Sequence, residues 1–176
     1  MVRAAARTPR KPRSKGSSNR HVLYTGKSGQ LAVMSELVFR GYNTAIPEVD
    51  VGDDIFVIHD KNGDLRRVQV KTAQARKNKT NDGYRAAFSV RLDQLKTPIN
   101  PELVYILLIR HQGVWSDYLI ITRSDLNSLR DSGLGADDGR GSLTISVGLQ
   151  GDEALCNRVS LQHCRNNWSL FPPITH

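Results

Sequence analysis

Two periodicities alternate along the chain. In SGQLAVMSELVFRGY, apolar residues at Leu31, Met34, Leu37 and Val38 recur at the spacing of one buried helical face, with Ser28 placed to cap the helix and Gly41 to end it. A short extended piece at NTAIP follows, then the β-rich runs DIFVIHD and DLRRVQVKT on either side of Asn62-Gly63, a strong hairpin signal. Further strands are predicted at YRAAFSV, at LVYILLIRH as a fully buried strand, and at WSDYLIITR as its antiparallel neighbour across Gln112-Gly113. SDLNSLRDSG predicts a short helix capped by Ser124 and ended near Gly133, and DSGLGADDGRGS a loop. A strand at SLTISVGLQ and a last helix within NRVSLQHCRNNWSLF complete the reading.

The hairpin brings chemistry together. A two-residue turn at Asn62-Gly63 places Asp54 opposite Lys71 and Phe56 opposite Gln69, and cross-strand partners lie about 5 Å apart on one face. Asp54, Gln69 and Lys71 therefore converge, while Ile55, Val57, Val68 and Val70 form the opposite, apolar face. A cross-strand Asp54–Lys71 salt bridge would be the plain structural account of the pair. An aspartate and an amide oxygen could instead hold a hard cation such as Mg2+, with the lysine serving a water beside it.

Length and charge narrow the setting. At 176 residues one domain is expected. Residues 1–20 carry seven of the 25 Lys and Arg and no acid, which predicts a disordered basic arm followed by a single domain over 21–176. Within that domain, Arg66 to Arg91 gathers eight basic residues against the single acid Asp82. Such a run is either a solvated face or a phosphate-binding surface. No apolar run approaches the roughly 18 to 20 residues that span a bilayer, so a cytoplasmic protein without a membrane partner is expected. Cys156 and Cys164 suit structural thiols rather than a zinc site, and the five histidines lack ligand spacing. TGKSG has His21 where a phosphate-binding loop needs its first glycine.

Asp54 followed after fourteen residues by Gln69-Val70-Lys71, with a helix, GYN, DVGDD and the hairpin in order, resembles the PD-(D/E)XK nuclease superfamily. The match is to the Gln-x-Lys variant of group I intron-associated and Mrr-like endonucleases. That resemblance implies an α/β, restriction-endonuclease-like core, a mixed central sheet flanked by helices in the order α-β-β-β-α-β. It also implies a Mg2+- or Mn2+-dependent endonuclease acting on DNA. Asp54, the Gln69 side-chain oxygen and the Val70 carbonyl would hold the metal, with Asp50 close enough to assist, and Lys71 would activate water. Asp53, of the opposite parity, should face away. Relatives commonly carry a glutamate after a glycine on the first helix; here Gln30 follows Gly29, and Glu36, turned well away, is expected in solvent. Arg76, Lys77, Lys79 and Arg85 would contact phosphates beside the scissile strand. Two cuts in a duplex would suit a homodimer. Two other readings stand beside this one: a nuclease-like fold without catalysis that binds nucleic acid or supports an assembly, and an interaction protein with a basic tail.

Overall fold

In the computed structural model, residues 15–49, 52–78 and 82–175 are described, so most of the expected arm, Asp50 and Lys79 lie outside the described residues. Helix α1 (Lys15–Phe39) begins earlier than its apolar pattern predicts: residues 15–20, expected in the arm, are helical, and Ser28 is not a cap. No proline between Pro12 and Pro47 interrupts it. Its C-terminus is a Schellman turn, with Gly41 at φ 92° and Tyr42 N–H donating to the Leu37 carbonyl at 3.1 Å.

The buried face of α1 also differs from the predicted one. Val33 and Leu37 are fully buried and Gln30 nearly so, whereas Leu31 and Val38 are exposed. Gly29 is the physical reason. A Cβ there would lie 2.2 Å from Thr72 Cγ2, so its absence lets the helix dock against the sheet on that side, rotated from the apolar stripe. Glu36 is half-buried and pairs with Arg40 at 2.8 Å.

Five strands form the central sheet: β1 (Asn43–Ala45), β2 (Ile55–His59), β3 (Asp64–Gln74), β6 (Leu103–His111) and β7 (Val114–Thr122). β3 and β6 are parallel and the other pairs antiparallel, so the sheet is mixed. Between β3 and β6 the chain inserts β4 (Arg76–Lys77), β5 (Tyr84–Arg91) and the short helix α2 (Leu92–Lys96). The expected α-β-β-β-α-β order is thus present with an insertion. After α3 (Arg123–Asp131) come β8 (Ala136–Asp137), β9 (Ser142–Gln150), β10 (Glu153–Cys156) and β11 (Val159–Ser160), which join β4 and β5 in a second, antiparallel sheet. Two local expectations fail. Thr122 rather than Ser124 caps α3, and the predicted final helix is instead β11 and a 3-10 turn at Gln162–Cys164, because Leu161 and Cys164 bury into the core beneath the second sheet.

β6 is apolar throughout because both its faces are covered. Val104, Ile106 and Leu108 pack under α1 with Val68 and Val70, while Tyr105, Leu107 and Ile109 pack against Phe88, Val90 and Ile145 of the second sheet. The β2–β3 register corrects the two-residue turn. His59 pairs with Asp64 and Ile55 with Val68, so Asp60 to Gly63 form a four-residue loop. The slip is two residues, which preserves parity. Ile55, Val57, Val68 and Val70 remain on the buried face as expected, but Phe56 faces Arg67, and β2 ends before it reaches Lys71.

Asp117 on β7 ties the layers together. Its carboxylate accepts from Tyr84 of β5, from Ser116 and from Arg165, whose Nη2 lies 2.7 Å away, and only 2% of the residue is exposed. Burial alone would raise the Asp117 pKa, but hydrogen bonds from Ser116, Tyr84 and Arg165 outweigh it and hold the carboxyl below its ordinary range. Among the described residues no helix is long and apolar enough to cross a membrane.

Two stability predictions follow from these contacts. Gly29→Ala gains about 1 kcal/mol of helix propensity but forces apart α1 and β3, for a net loss of about 1 to 2 kcal/mol in urea unfolding. Adding Thr72→Ser, which removes the clashing methyl, should recover it. Asp117→Asn leaves Arg165 facing a neutral partner and should cost on the order of 3 kcal/mol. Because the folded pKa lies below the unfolded one, the contribution is complete above the unfolded carboxyl range and lost as pH falls through the folded value. The gap between wild type and Asp117→Asn should therefore narrow below about pH 4 in a pH series of urea melts.

Candidate active site

β2 stops at Ile55, while β3 runs on to Gln74, so beyond Val68 one edge of β3 has no neighbouring strand. Backbone groups left there need partners. Asp54 supplies the continuation. Its N–H donates to the Val68 carbonyl at 2.9 Å, and its Oδ2 then accepts from the Val70 N–H at 2.7 Å and from Gln69 Nε2. A strand residue sends its N–H and C=O to the same side, so Val70's carbonyl faces this edge as well. The carboxylate takes the place of the next rung of the ladder.

From α1, Gln30 Nε2 donates to the Asp54 carbonyl, and Gln30 Oε1 accepts from Lys27 Nζ at 2.9 Å. Gln30 thus holds the Asp54 segment by its backbone. Both ends of its amide are engaged, and it points no oxygen at the carboxylate. From α2, Gln94 Nε2 donates to the Gly52 carbonyl and to Gln69 Oε1, the latter at 3.2 Å. The Gln69 amide therefore lies between an acceptor on one side and a donor on the other, almost fully buried.

Asp53 corrects the parity argument. The segment from Gly52 to Asp54 precedes the strand and bends at Gly52 and Asp54, so strand alternation does not carry through it. Asp53 turns inward, is 3% exposed, and binds Arg67 Nε at 2.9 Å and Nη2 at 2.5 Å, while its Oδ1 has no hydrogen-bond partner. Arg67, Gln69 and Lys71 share one face of β3. Lys71 is half-buried and makes no ion pair with Asp54 or with any other described acid, so the cross-strand salt bridge does not form.

These groups line one open cavity of about 940 Å3 between α1, the Gly52–Asp54 segment, β3 and α2. Lys27, Arg67, Lys71 and Arg91 lie on its walls against Asp53, Asp54 and Asp93, and Arg91 and Asp93 pair with each other at the exposed rim. Of the residues singled out in the sequence, Asp54, Gln69, Val70, Lys71 and Gln30 meet here. Arg76, Lys77 and Arg85 do not line it. They belong to the second sheet, where Arg76 stands directly opposite Arg85, and Lys77 reaches exposed Asp82 at 3.9 Å. Arg67, Lys27 and Gln94 were missed. Arg67 carried a usable signal, two residues from Gln69 on the same strand face; Gln94 carried none, since LDQLK is too short for a helical period.

The donor set suits a hard cation in kind: a carboxylate at Asp54, the Val70 carbonyl at the same edge and an amide at Gln69. Gln69 presents its N–H to Asp54, with its oxygen turned to Gln94. No group of three His, Cys, Asp or Glu among the described residues is arranged to hold a metal.

By sequence the chain matches no protein-family model and no curated protein. By structure it is similar to a bacterial homing endonuclease, I-Ssp6803I, with a TM-score of 0.51 and 16% identity over 85% of this chain and 90% of that one. The two share a fold, and the chain is an α/β protein with mixed and antiparallel sheets flanked by helices.

Proposed function

We propose that the chain is an endonuclease of the PD-(D/E)XK type, in its Gln-x-Lys form, hydrolysing phosphodiester bonds in DNA with Mg2+ or Mn2+. The observation that carries this reading is the meeting of Asp54, Gln69, Val70 and Lys71 at the open edge of β3, inside one cavity, on a fold shared with a homing endonuclease. Asp54, Val70 and the Gln69 oxygen would hold the ion, which supplies Lewis-acid stabilisation of charge on the phosphate when bound. Lys71, which no described acid pins, is placed to orient the attacking water and to donate to a phosphate oxygen. Arg67 is held to the wall by Asp53, and Lys27 and Arg91 offer cations to flanking phosphates at the rim. Gln30 keeps the Asp54 segment in register with β3. Arg76, Lys77 and Arg85 on the second sheet would contact the duplex away from the cut, and Lys79 would add to them. Two such sites, in a homodimer, would serve the two strands.

A second reading, a nuclease-like fold that binds nucleic acid or supports an assembly without cutting, is favoured by the absence of a three-acid cluster among the described residues. Plasmid incubated with the purified chain and Mg2+ or Mn2+ separates the two. Nicked and then linear products, reduced at least a hundredfold by Lys71→Ala and by Asp54→Asn while DNA binding persists, are expected of the enzyme. Intact plasmid with undiminished binding would mean the module.

Phosphate contacts release counterions, so affinity falls with salt. Arg76→Ala and Arg85→Ala should each make the slope of log affinity against log salt shallower by about one unit, uniformly across DNA sequences. An unchanged slope in electrophoretic or anisotropy titrations would place these arginines outside the interface.

A further inference from the structure

Gln94 makes a connection that the proposed chemistry does not use. Its Nε2 donates both to the Gly52 carbonyl and to Gln69 Oε1, and Gln69 Nε2 in turn donates to Asp54. The direction of this chain is set at one end. A backbone carbonyl can only accept, so Gln94 must present its NH2 group to Gly52, and with it to Gln69. Gln69 must then present oxygen to Gln94 and nitrogen to Asp54. Close approach is built in at Gly52: its φ is +104°, and a Cβ there would lie 2.3 Å from Gln94 Nε2.

We propose that Gln94 is a positioning residue that latches Gln69 in its non-coordinating orientation, so that cation binding at Asp54 must work against it. This rests on the metal-dependent reading of the site. To turn its oxygen toward Asp54, Gln69 must bring its NH2 group against the NH2 group of Gln94, two donors facing each other. Gln94 cannot correct the mismatch by turning, because its own oxygen would then meet the Gly52 carbonyl. Turning Gln69 breaks its hydrogen bond to Asp54 whether or not Gln94 is present, so that bond does not distinguish the two cases. What Gln94 adds is the loss of its bond to Gln69 and the donor–donor contact that replaces it. The latch keeps the Asp54 carboxylate hydrogen-bonded by N–H donors, and the β3 edge closed, until a cation competes.

The test is Mn2+ titration of the full chain by calorimetry, with urea melts run in parallel on every variant. Gln94→Ala, and Gln94→Met, which keeps the side-chain volume without an amide donor, should each bind Mn2+ on the order of fivefold more tightly than wild type. The gain should vanish when either is combined with Gln69→Ala. A merely structural Gln94 predicts the reverse, lower stability with unchanged or weaker Mn2+ binding, and that result would overturn the latch. Tighter binding that survives Gln69→Ala would overturn it too. Asp54→Asn distinguishes this failure from that of the parent reading. If Mn2+ binding requires Asp54 yet ignores Gln94, the latch alone is wrong; if Asp54→Asn leaves Mn2+ binding unchanged, the metal site fails and the latch with it.

Discussion

The site depends on a strand edge that must be closed. β2 is six residues shorter than β3, so the ladder on that side ends at Val68 while the strand continues into the protein. An uncovered N–H at Val70 would be costly at this depth, because an unpaired buried donor forfeits its hydration without replacement. Asp54 resolves this by putting a carboxylate where a backbone carbonyl would otherwise lie. The same act places an acid beside Gln69 and within one cavity of Lys71. Positioning of the acid is thus a consequence of sheet termination rather than a separate device.

Three elements hold that arrangement, and two of them reach it through an amide and a glycine. α1 comes close enough for Gln30 to grip the Asp54 carbonyl because Gly29 has no side chain to collide with Thr72. α2 comes close enough for Gln94 to reach the Gly52 carbonyl because Gly52 likewise has none. The second sheet, locked to β7 through Asp117, Tyr84 and Arg165, fixes where β5 delivers α2. Amides serve well here. They join acceptor to donor without adding charge, in a cavity whose cations already outnumber its acids.

Much of this was legible in the sequence because side-chain parity in a strand survives errors of register. The turn after β2 is four residues rather than two, and every predicted pair is displaced, yet a displacement of two returns each side chain to its predicted face. Asp54 and Gln69 therefore met as expected, while Lys71 lost its cross-strand partner. Parity misled at Asp53, which lies before the strand and is not bound by its alternation. Helical reading was less reliable. Of the stripe Leu31, Met34, Leu37 and Val38, Met34 and Leu37 pack on the core as expected, but Gly29 turned the helix toward Val33 and Gln30 and left Leu31 and Val38 exposed. In the C-terminal region, burial against the second sheet overrode a helical spacing. Gln94 could not be found at all, since its role arises from a contact between segments far apart in the chain.

The glutamine at position 69 has a physical rationale that an acid there would lack. Two carboxylates at hydrogen-bonding distance repel, and one of them must bind a proton or a cation to be stable. A site built that way closes its strand edge only when it is loaded. With Gln69, Asp54 faces an N–H donor at Oδ2 and a second from Val70, so the edge is satisfied without an ion. The cost is one fewer negative charge for holding a cation, and an amide whose oxygen must be turned before it can help. The architecture therefore favours an ordered, self-satisfied site, beside which Lys71 makes no ion pair with any described acid.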